Sequence, residues 1–208
     1  MKIGIIGSGH IGGNAAKLFA AAGHQVAISN SRGPESLAPL VAEIGDANAK
    51  AMTVNDAATY GEVVLLAVPW RTPEALPSPD RTAGKVVIDA MNQYRPDGGL
   101  FDLGDSSASE EVAKRLPGAR IVKAFNTMNF ETLRTEGKPS DPNRLVIFVA
   151  GDDTDANTTV SRLIEEIGFA ALETGPLRDG GRRQEPGTSI YNKPMTVDRA
   201  REILGSME

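Results

Sequence analysis

The chain of 208 residues predicts an α/β protein built on a doubly wound, mostly parallel sheet with helices on both faces and a short C-terminal extension. Three observations predict it. Strand-length apolar runs alternate with stretches of helical period along the chain. Several of those runs are continuous and β-branched, which is how strands buried on both faces of a parallel sheet read. A glycine-rich turn joins the first run directly to the first helical stretch.

Strands are expected at Lys2–Gly7, Gln25–Ser29, Ala49–Met52, Val63–Val68, Lys85–Asp89, Arg120–Ala124, Arg144–Ala150 and Phe169–Glu173. Helices are expected at His10–Ala22, Glu35–Ile44, Asn55–Thr59, Ser107–Leu116, Thr154–Ile167 and Val197–Leu204. Right-handed crossovers between parallel strands place those helices on both faces. Segments rich in Pro and Gly at Pro69–Gly84, Arg95–Gly104, Thr135–Asn143 and Gly175–Pro194 read as loops over one edge of the sheet. The organisation expected is a dinucleotide-binding unit over residues 1–150 and a small α/β extension over 151–208, packed on the same sheet.

Composition narrows the function classes. A formal net charge of -5 argues against nucleic acid as a partner, since that predicts a basic face. No apolar stretch approaches a membrane span, and no basic, apolar leader precedes the first strand. A cytoplasmic protein is the expectation. The chain has no cysteine, which excludes disulfides, thiolate catalysis and Cys-ligated zinc. With His10 and His24 as its two histidines, it cannot build a multi-histidine metal site, and no metal ligand set is assigned.

The segment Gly7-Ser8-Gly9-His10-Ile11-Gly12 fits G-x-G-x-x-G after a strand and at the opening of a helix. In a Rossmann-like unit each glycine has a task. Gly7 permits the tight turn, Gly9 lets the backbone approach a pyrophosphate, and Gly12 lets the helix lie against the first strand. The free N–H groups of the helix start face the anion. His10 and Ile11 supply position and backbone N–H groups rather than catalysis. Ser8 either donates its hydroxyl to a phosphate or is there for its small size.

An NAD-preferring unit ends its second strand in an acid that binds the ribose 2′-OH. Here that stretch reads Ile28-Ser29-Asn30-Ser31-Arg32, and the first carboxylate of the chain is Glu35. Asn30, Ser31 and Arg32 offer amide, hydroxyl and guanidinium donors suited to a 2′-phosphate. The expected ligand is NADP(H).

Other chemistries fail on spacing. None of Tyr60, Tyr94 and Tyr191 has a Lys four residues on, so there is no Y-x-x-x-K. Gly84-Lys85-Val86 and Gly137-Lys138-Pro139 lack the hydroxyl of a phosphate-binding P-loop. A calcium loop starting at Asp153 would need Gly where Thr158 stands and Glu where Ile164 stands. Asp152 and Asp153 instead read as caps of the next helix. His24 falls in the loop between the first helix and the second strand, with no special task.

Several stretches together resemble the F420-dependent NADP oxidoreductase family, whose NADP-binding unit is similar to that of the membrane ferric reductases. They are "IGIIGSGHIGG", "ISNSRGPESL", "VVLLAVPW", "VKAFNTM", "VIFVAGDD" and "ETGPL". The resemblance implies NADP(H) held by Gly7, Gly9, Gly12, Asn30, Ser31 and Arg32. It puts Ala67, Val68 and Pro69 beside the pyrophosphate and adenosine ribose, and Asn126 and Thr127 near the nicotinamide. It also implies hydride exchange with a flat acceptor, a deazaflavin (F420), FMN or FAD, and a homodimer. Asn126 stands where deazaflavin-using members carry His, and Phe130 lies where it would crowd a second ring. Arg178, Arg182 and Arg183 form a basic cluster that either holds an acidic substrate tail or is solvated.

Hydride transfer to a flavin-type ring asks for positioning more than proton chemistry, so no catalytic residue is assigned. Two alternatives remain: a non-catalytic NADP(H)-binding redox sensor module, and a reductase of a small carbonyl or imine. The latter requires a proton donor, and Lys123, Asn126 and Tyr191 are the candidates. Relatives of that kind close the site with a large helical domain, for which little chain remains after Ala150.

Overall fold

The structure is a computed structural model that describes residues 1–207. The elements run β1 (Lys2–Ile6), α1 (His10–Ala21), β2 (Gln25–Ser29), α2 (Ala38–Ile44), β3 (Ala49–Ala51), α3 (Val54–Tyr60), β4 (Val63–Leu66) and β5 (Val86–Asp89). They continue through α4 (Ala108–Arg115), β6 (Arg120–Ala124), α5 (Phe130–Thr135), β7 (Val146–Ala150), α6 (Thr154–Glu166), β8 (Ala170–Gly175), α7 (Asp179–Arg183) and α8 (Val197–Gly205). One eight-stranded sheet has the order β3-β2-β1-β4-β5-β6-β7-β8. All neighbours are parallel except β6 and β7, which pair antiparallel through Lys123↔Ala150 and Ala124↔Val149.

Alternation along each strand divides the core in two. Ile3 and Ile5 of β1, Val63 and Leu65 of β4, and Val86 and Ile88 of β5 face one layer, covered by α1 and α6. Ile6, Val64, Leu66 and Val87 face the other, covered by α3 and α4. Gly4 belongs to this second face for a steric reason: a Cβ there would lie 2.2 Å from the Ala57 carbonyl oxygen of α3. A third, smaller cluster seats α8 on β7 and β8, with Phe148, Ile190, Met195 and Ala200 buried.

Local signals fix the helix ends. Ser107 and Glu110 form a reciprocal capping box on α4. Asp153 accepts from the Ala156 N–H at the start of α6, and both its oxygens take Arg120 donors at 2.6 Å. Asp152, expected as a second cap, instead accepts from the Leu177 N–H at 2.9 Å and ties β8 to the sheet end. His24 is buried and pairs with Glu166 at 2.9 Å, linking the α1–β2 corner to the end of α6. Two short helices lie where the sequence reads as loop or is unassigned, α5 and α7. Gly180 lets α7 pack on the end of β8, since its Cβ would meet the Gly175 carbonyl at 2.7 Å.

Candidate functional site

The strand order reverses beside β1. The chain winds outward through β2 and β3, then returns to place β4 on the other side of β1. Ligands of such sheets bind outside the C-terminal strand ends at that reversal. A cleft of about 1080 Å³ opens there, lined from β2 across β1 and β4 to β5.

The β1–α1 turn forms its floor. Gly7 has φ 105°, and a Cβ there would lie 2.3 Å from the Ala67 carbonyl oxygen. A Cβ on Gly12 would lie 1.9 Å from the Gly7 carbonyl oxygen. A Cβ on Gly9 would meet nothing within 4 Å. Gly7 and Gly12 are therefore glycine for the fold, and Gly9 leaves space on the cleft side. No side chain caps the start of α1 and its first turn has no acid, so its N–H groups are left for an anion.

The tip of β2 closes one end. Asn30 Oδ1 accepts from the Arg32 N–H at 2.9 Å, and Asn30 Nδ2 donates to Ser8 Oγ at 3.3 Å and Ser36 Oγ at 2.9 Å. Asn30 therefore spends its amide on shaping the loop that presents Ser31 and Arg32. Both are exposed and line the cleft, and the Arg32 guanidinium has no hydrogen bond or ion pair among the described residues. Glu35 lies in the short 3-10 turn Pro34–Leu37, outside the cleft lining.

Ala67, Val68 and Pro69 line the middle of the cleft, and the chain beyond them adds Arg71, Thr72 and Glu74. That loop is anchored by Trp70, which is buried and donates its indole N–H to the Ala108 carbonyl at 3.3 Å. The far end is the tip of β5: Ala90, Met91 and Asn92, with Tyr94 beyond. Sequence reasoning missed this end. In a parallel sheet the chain leaving β5 must emerge beside the chain leaving β4, so the signal was available.

A buried ion pair holds that far wall. Lys123 and Asp89 are both fully buried, with Nζ to Oδ2 at 3.2 Å. Lys123 also donates to the Met91 carbonyl at 2.5 Å, Asp89 Oδ1 accepts from the Met91 N–H at 3.0 Å, and Ser109 donates to Asp89 Oδ2 at 2.6 Å. Lys123 thus fixes strand-end geometry and does not reach the cleft.

Among the sequence-derived positions, the cleft brings together Gly7, Ser8, Gly9, His10, Ile11, Asn30, Ser31, Arg32, Ala67, Val68 and Pro69. Gly12 lies beneath them in the helix. Asn126 and Thr127 do not line it: each is 5% exposed. Phe125, just after β6, adopts φ 67°, a conformation rare for a non-glycine residue, and the chain leaves it turned behind the wall. Asn126 Nδ2 donates to Asn92 Oδ1 at 3.0 Å and to the Gln184 carbonyl at 2.8 Å, so it supports the lining residue Asn92 from behind. Phe130 stacks on the His10 ring, centroids 4.3 Å apart, rather than standing in the lining. Arg178 and Arg182 donate to the Asp105 carbonyl and Arg183 to the Thr174 carbonyl; none of the three lines the cleft.

Comparison with known proteins agrees with this geometry. Residues 2–93 match the family model described as NADP oxidoreductase, coenzyme F420-dependent. The chain is 31% identical over 177 residues to the metalloreductase STEAP3 of Rattus norvegicus, covering 85% of this chain and 34% of that protein; it thus spans about a third of that relative's length. A hypothetical protein from Sinorhizobium meliloti is 33% identical, with 94% of this chain and 95% of that one covered at a TM-score of 0.82. A protein of Arthrobacter sp. FB24, provisionally described as an F420-dependent NADP reductase, is 26% identical, with 85% and 86% covered at a TM-score of 0.71.

Proposed function

Since the chain belongs to the NADP oxidoreductase family that includes the F420-dependent enzymes, we propose that it moves a hydride between NADP(H) and a flavin or deazaflavin acceptor such as F420, FMN or FAD. The observation that carries the cofactor half of this reading is the β2 tip. It holds a guanidinium with no partner among the described residues, an exposed hydroxyl and no carboxylate, at the edge of a cleft whose floor is an uncapped helix start.

The residues present fit the cofactor. The α1 N–H groups and the open space at Gly9 suit a pyrophosphate, and Ser31 and Arg32 suit the 2′-phosphate, with Asn30 holding the loop. Ala67, Val68 and Pro69 then flank the dinucleotide, and Ala90–Asn92 wall the end remote from Arg32. NADP(H), when bound, supplies or accepts the hydride at its nicotinamide ring. The chain's own part is to orient two rings, exclude water through the apolar lining of Ile6, Ile11, Val68 and Met91, and keep the far wall rigid through Lys123 and Asp89. Asn126 and Thr127 serve from behind that wall. Residues 1–150 act as the NADP-binding domain and 151–208 as an extension on the same sheet, supported by the pairing of β8 with β7. The same reading includes a cytoplasmic homodimer. No helix among the described residues is long and apolar enough to cross a membrane.

The test is Arg32→Ala, titrated with NADPH and NADH. Loss of charge-assisted hydrogen bonds weakens NADPH binding by about 1.5–3 kcal/mol and leaves NADH nearly untouched. Equal losses for both contradict the phosphate assignment. Assays of NADPH oxidation with F420, FMN and FAD address the acceptor; tight NADPH binding without turnover on any of them overturns the enzymatic reading.

A further inference from the structure

Reduction of a conjugated C=N or C=O acceptor adds a hydride at one atom and a proton at a heteroatom. The candidates for that proton named from sequence do not reach the cleft. Lys123 is locked on Asp89 and Met91, Asn126 faces Asn92 and Gln184, and Tyr191 lies outside the lining. Tyr191 nevertheless has a partner that does reach it. The hydroxyls of Tyr94 and Tyr191 lie 3.2 Å apart, and Tyr94 lines the cleft at the end remote from Arg32.

We propose that Tyr94 is the hydrogen-bond and proton donor to the electron acceptor, with Tyr191 and Asn92 as its positioning residues. This rests on the cleft holding NADP(H) as described above. A dinucleotide whose 2′-phosphate meets Arg32 at β2 and whose pyrophosphate crosses β1 puts its nicotinamide toward β4 and β5. The second ring then belongs at the Tyr94 end.

The surroundings support a preorganised donor rather than two loose surface phenols. Asn92 Nδ2 donates to Tyr191 Oη at 3.3 Å and to the Asn126 carbonyl at 3.1 Å. Asn192, at φ 53°, donates its N–H to the Thr127 carbonyl at 2.9 Å and pins the Tyr191 loop to the chain leaving β6. The Tyr94 N–H donates to the Asn92 carbonyl at 2.8 Å, and Tyr94 pairs with Leu100 across a small bridge. Burial, then the bond to Tyr94, holds the Tyr191 phenol well above the usual tyrosine range, so it keeps its proton. In the structure the Tyr94 hydroxyl donates to Tyr191 Oη; once Tyr94 has given its proton to the acceptor, the neutral Tyr191 hydroxyl can turn and donate to the Tyr94 oxygen.

The step balances. The acceptor gains a hydride from a dihydronicotinamide, which is oxidised. The electron pair displaced onto the acceptor's heteroatom takes the proton of Tyr94, whose O–H electrons remain on the phenolate. Solvent returns a proton to Tyr94, which is 36% exposed.

Tyr94→Phe and Tyr191→Phe test this against wild type in three measurements: NADPH titration, binding of FMN and F420 to the NADP⁺-saturated protein, and NADPH turnover with each probe. Tyr94→Phe is expected to leave NADPH affinity unchanged, weaken probe binding several-fold and lower kcat about 100-fold or more, the lower range for a lost general acid. Tyr191→Phe is expected to lower kcat about 10-fold with probe KM unmoved. Tyr94→Phe that binds and reduces the probes like wild type overturns the proposal, as does wild type that binds neither probe. If NADPH affinity falls together with turnover, Tyr94 belongs to the cofactor site and the proposal fails. Wild type that does not bind NADPH removes the cofactor reading itself, a separate result.

Discussion

Adding one methyl group at two glycines of the same turn separates the fold's requirements from the ligand's. At Gly12 the new carbon would stand 1.9 Å from the Gly7 carbonyl oxygen and 3.2 Å from Ala67 Cβ. The first neighbour is backbone, so α1 must lift from β1. Overpacking of this kind costs about 1–3 kcal/mol, with the upper end apt where backbone blocks backbone. Better helix propensity of Ala returns about 1 kcal/mol. Gly12→Ala is thus expected to lose about 2 kcal/mol, which lowers Tm by roughly 4–8 °C for a chain of this size.

At Gly9 the new carbon meets nothing within 4 Å, and φ -70°, ψ -167° suits any residue. Gly9→Ala is expected to leave Tm unchanged or raise it slightly, since Ala restricts the unfolded chain by about 0.4–1 kcal/mol. Its methyl occupies the space read as the pyrophosphate's. Displacing the ligand by a comparable overpacking energy of about 1–3 kcal/mol weakens NADPH roughly 5- to 150-fold. Thermal unfolding without ligand and a fluorescence titration with NADPH read the two effects separately. Wild-type NADPH affinity in Gly9→Ala refutes the placement of the pyrophosphate, and a stable Gly12→Ala refutes the steric argument.

Lys123→Met leaves Asp89 buried without its cation and is expected to destabilise by about 3–5 kcal/mol; a denaturant midpoint within 1 kcal/mol of wild type contradicts the role assigned to the pair. The Arg120 guanidinium, followed by the Ala156 N–H, holds the Asp153 carboxyl well below the usual carboxylate range. A depressed folded value contributes stability above the unfolded pKa of about 3.9 and loses it as pH falls toward the folded value. Asp153→Asn keeps an N-cap but removes that charge, so its Tm deficit is expected at pH 7 and shrinks below about pH 4. A deficit that is constant from pH 7 to pH 3 excludes the ion pair as its source.

The six inner strands were legible because a strand buried on both faces has to be an apolar run; the edge strands β3 and β8 are only partly buried and show as shorter or mixed runs. Strand direction was not, since such a run reads the same either way, and β7 therefore gave no sign of its antiparallel pairing with β6. Helix α7 was illegible for another reason. Its two glycines argue against helix on propensity, and they are there because Gly180 must approach Gly175 and Gly181 must approach Ser107. The geometry of the glycine turn and of the β2 tip was readable because it is set by residues within a few positions of one another. Asn126 and Thr127 follow β6 directly, but the chain turns through the left-handed Phe125 and both are buried, with Asn126 behind Asn92. No spacing rule carries that.

The two ends of the cleft differ in how the chain builds them. The Arg32 end is local: Asn30 shapes it within a few residues, and a similar loop on another sheet would present the same donors. The Tyr94 end is assembled from distant segments. Asn92 follows β5, Asn126 follows β6, and Tyr191 comes from the loop before α8, 97 residues after the tyrosine it meets. If the cleft is used as proposed, substitutions in the C-terminal segment are expected to change the Tyr94 end while leaving the Arg32 end intact. On the reading proposed above, the acceptor end draws largely on segments beyond residues 2–93, the stretch that the family model matches, and shared cofactor use does not imply a shared acceptor.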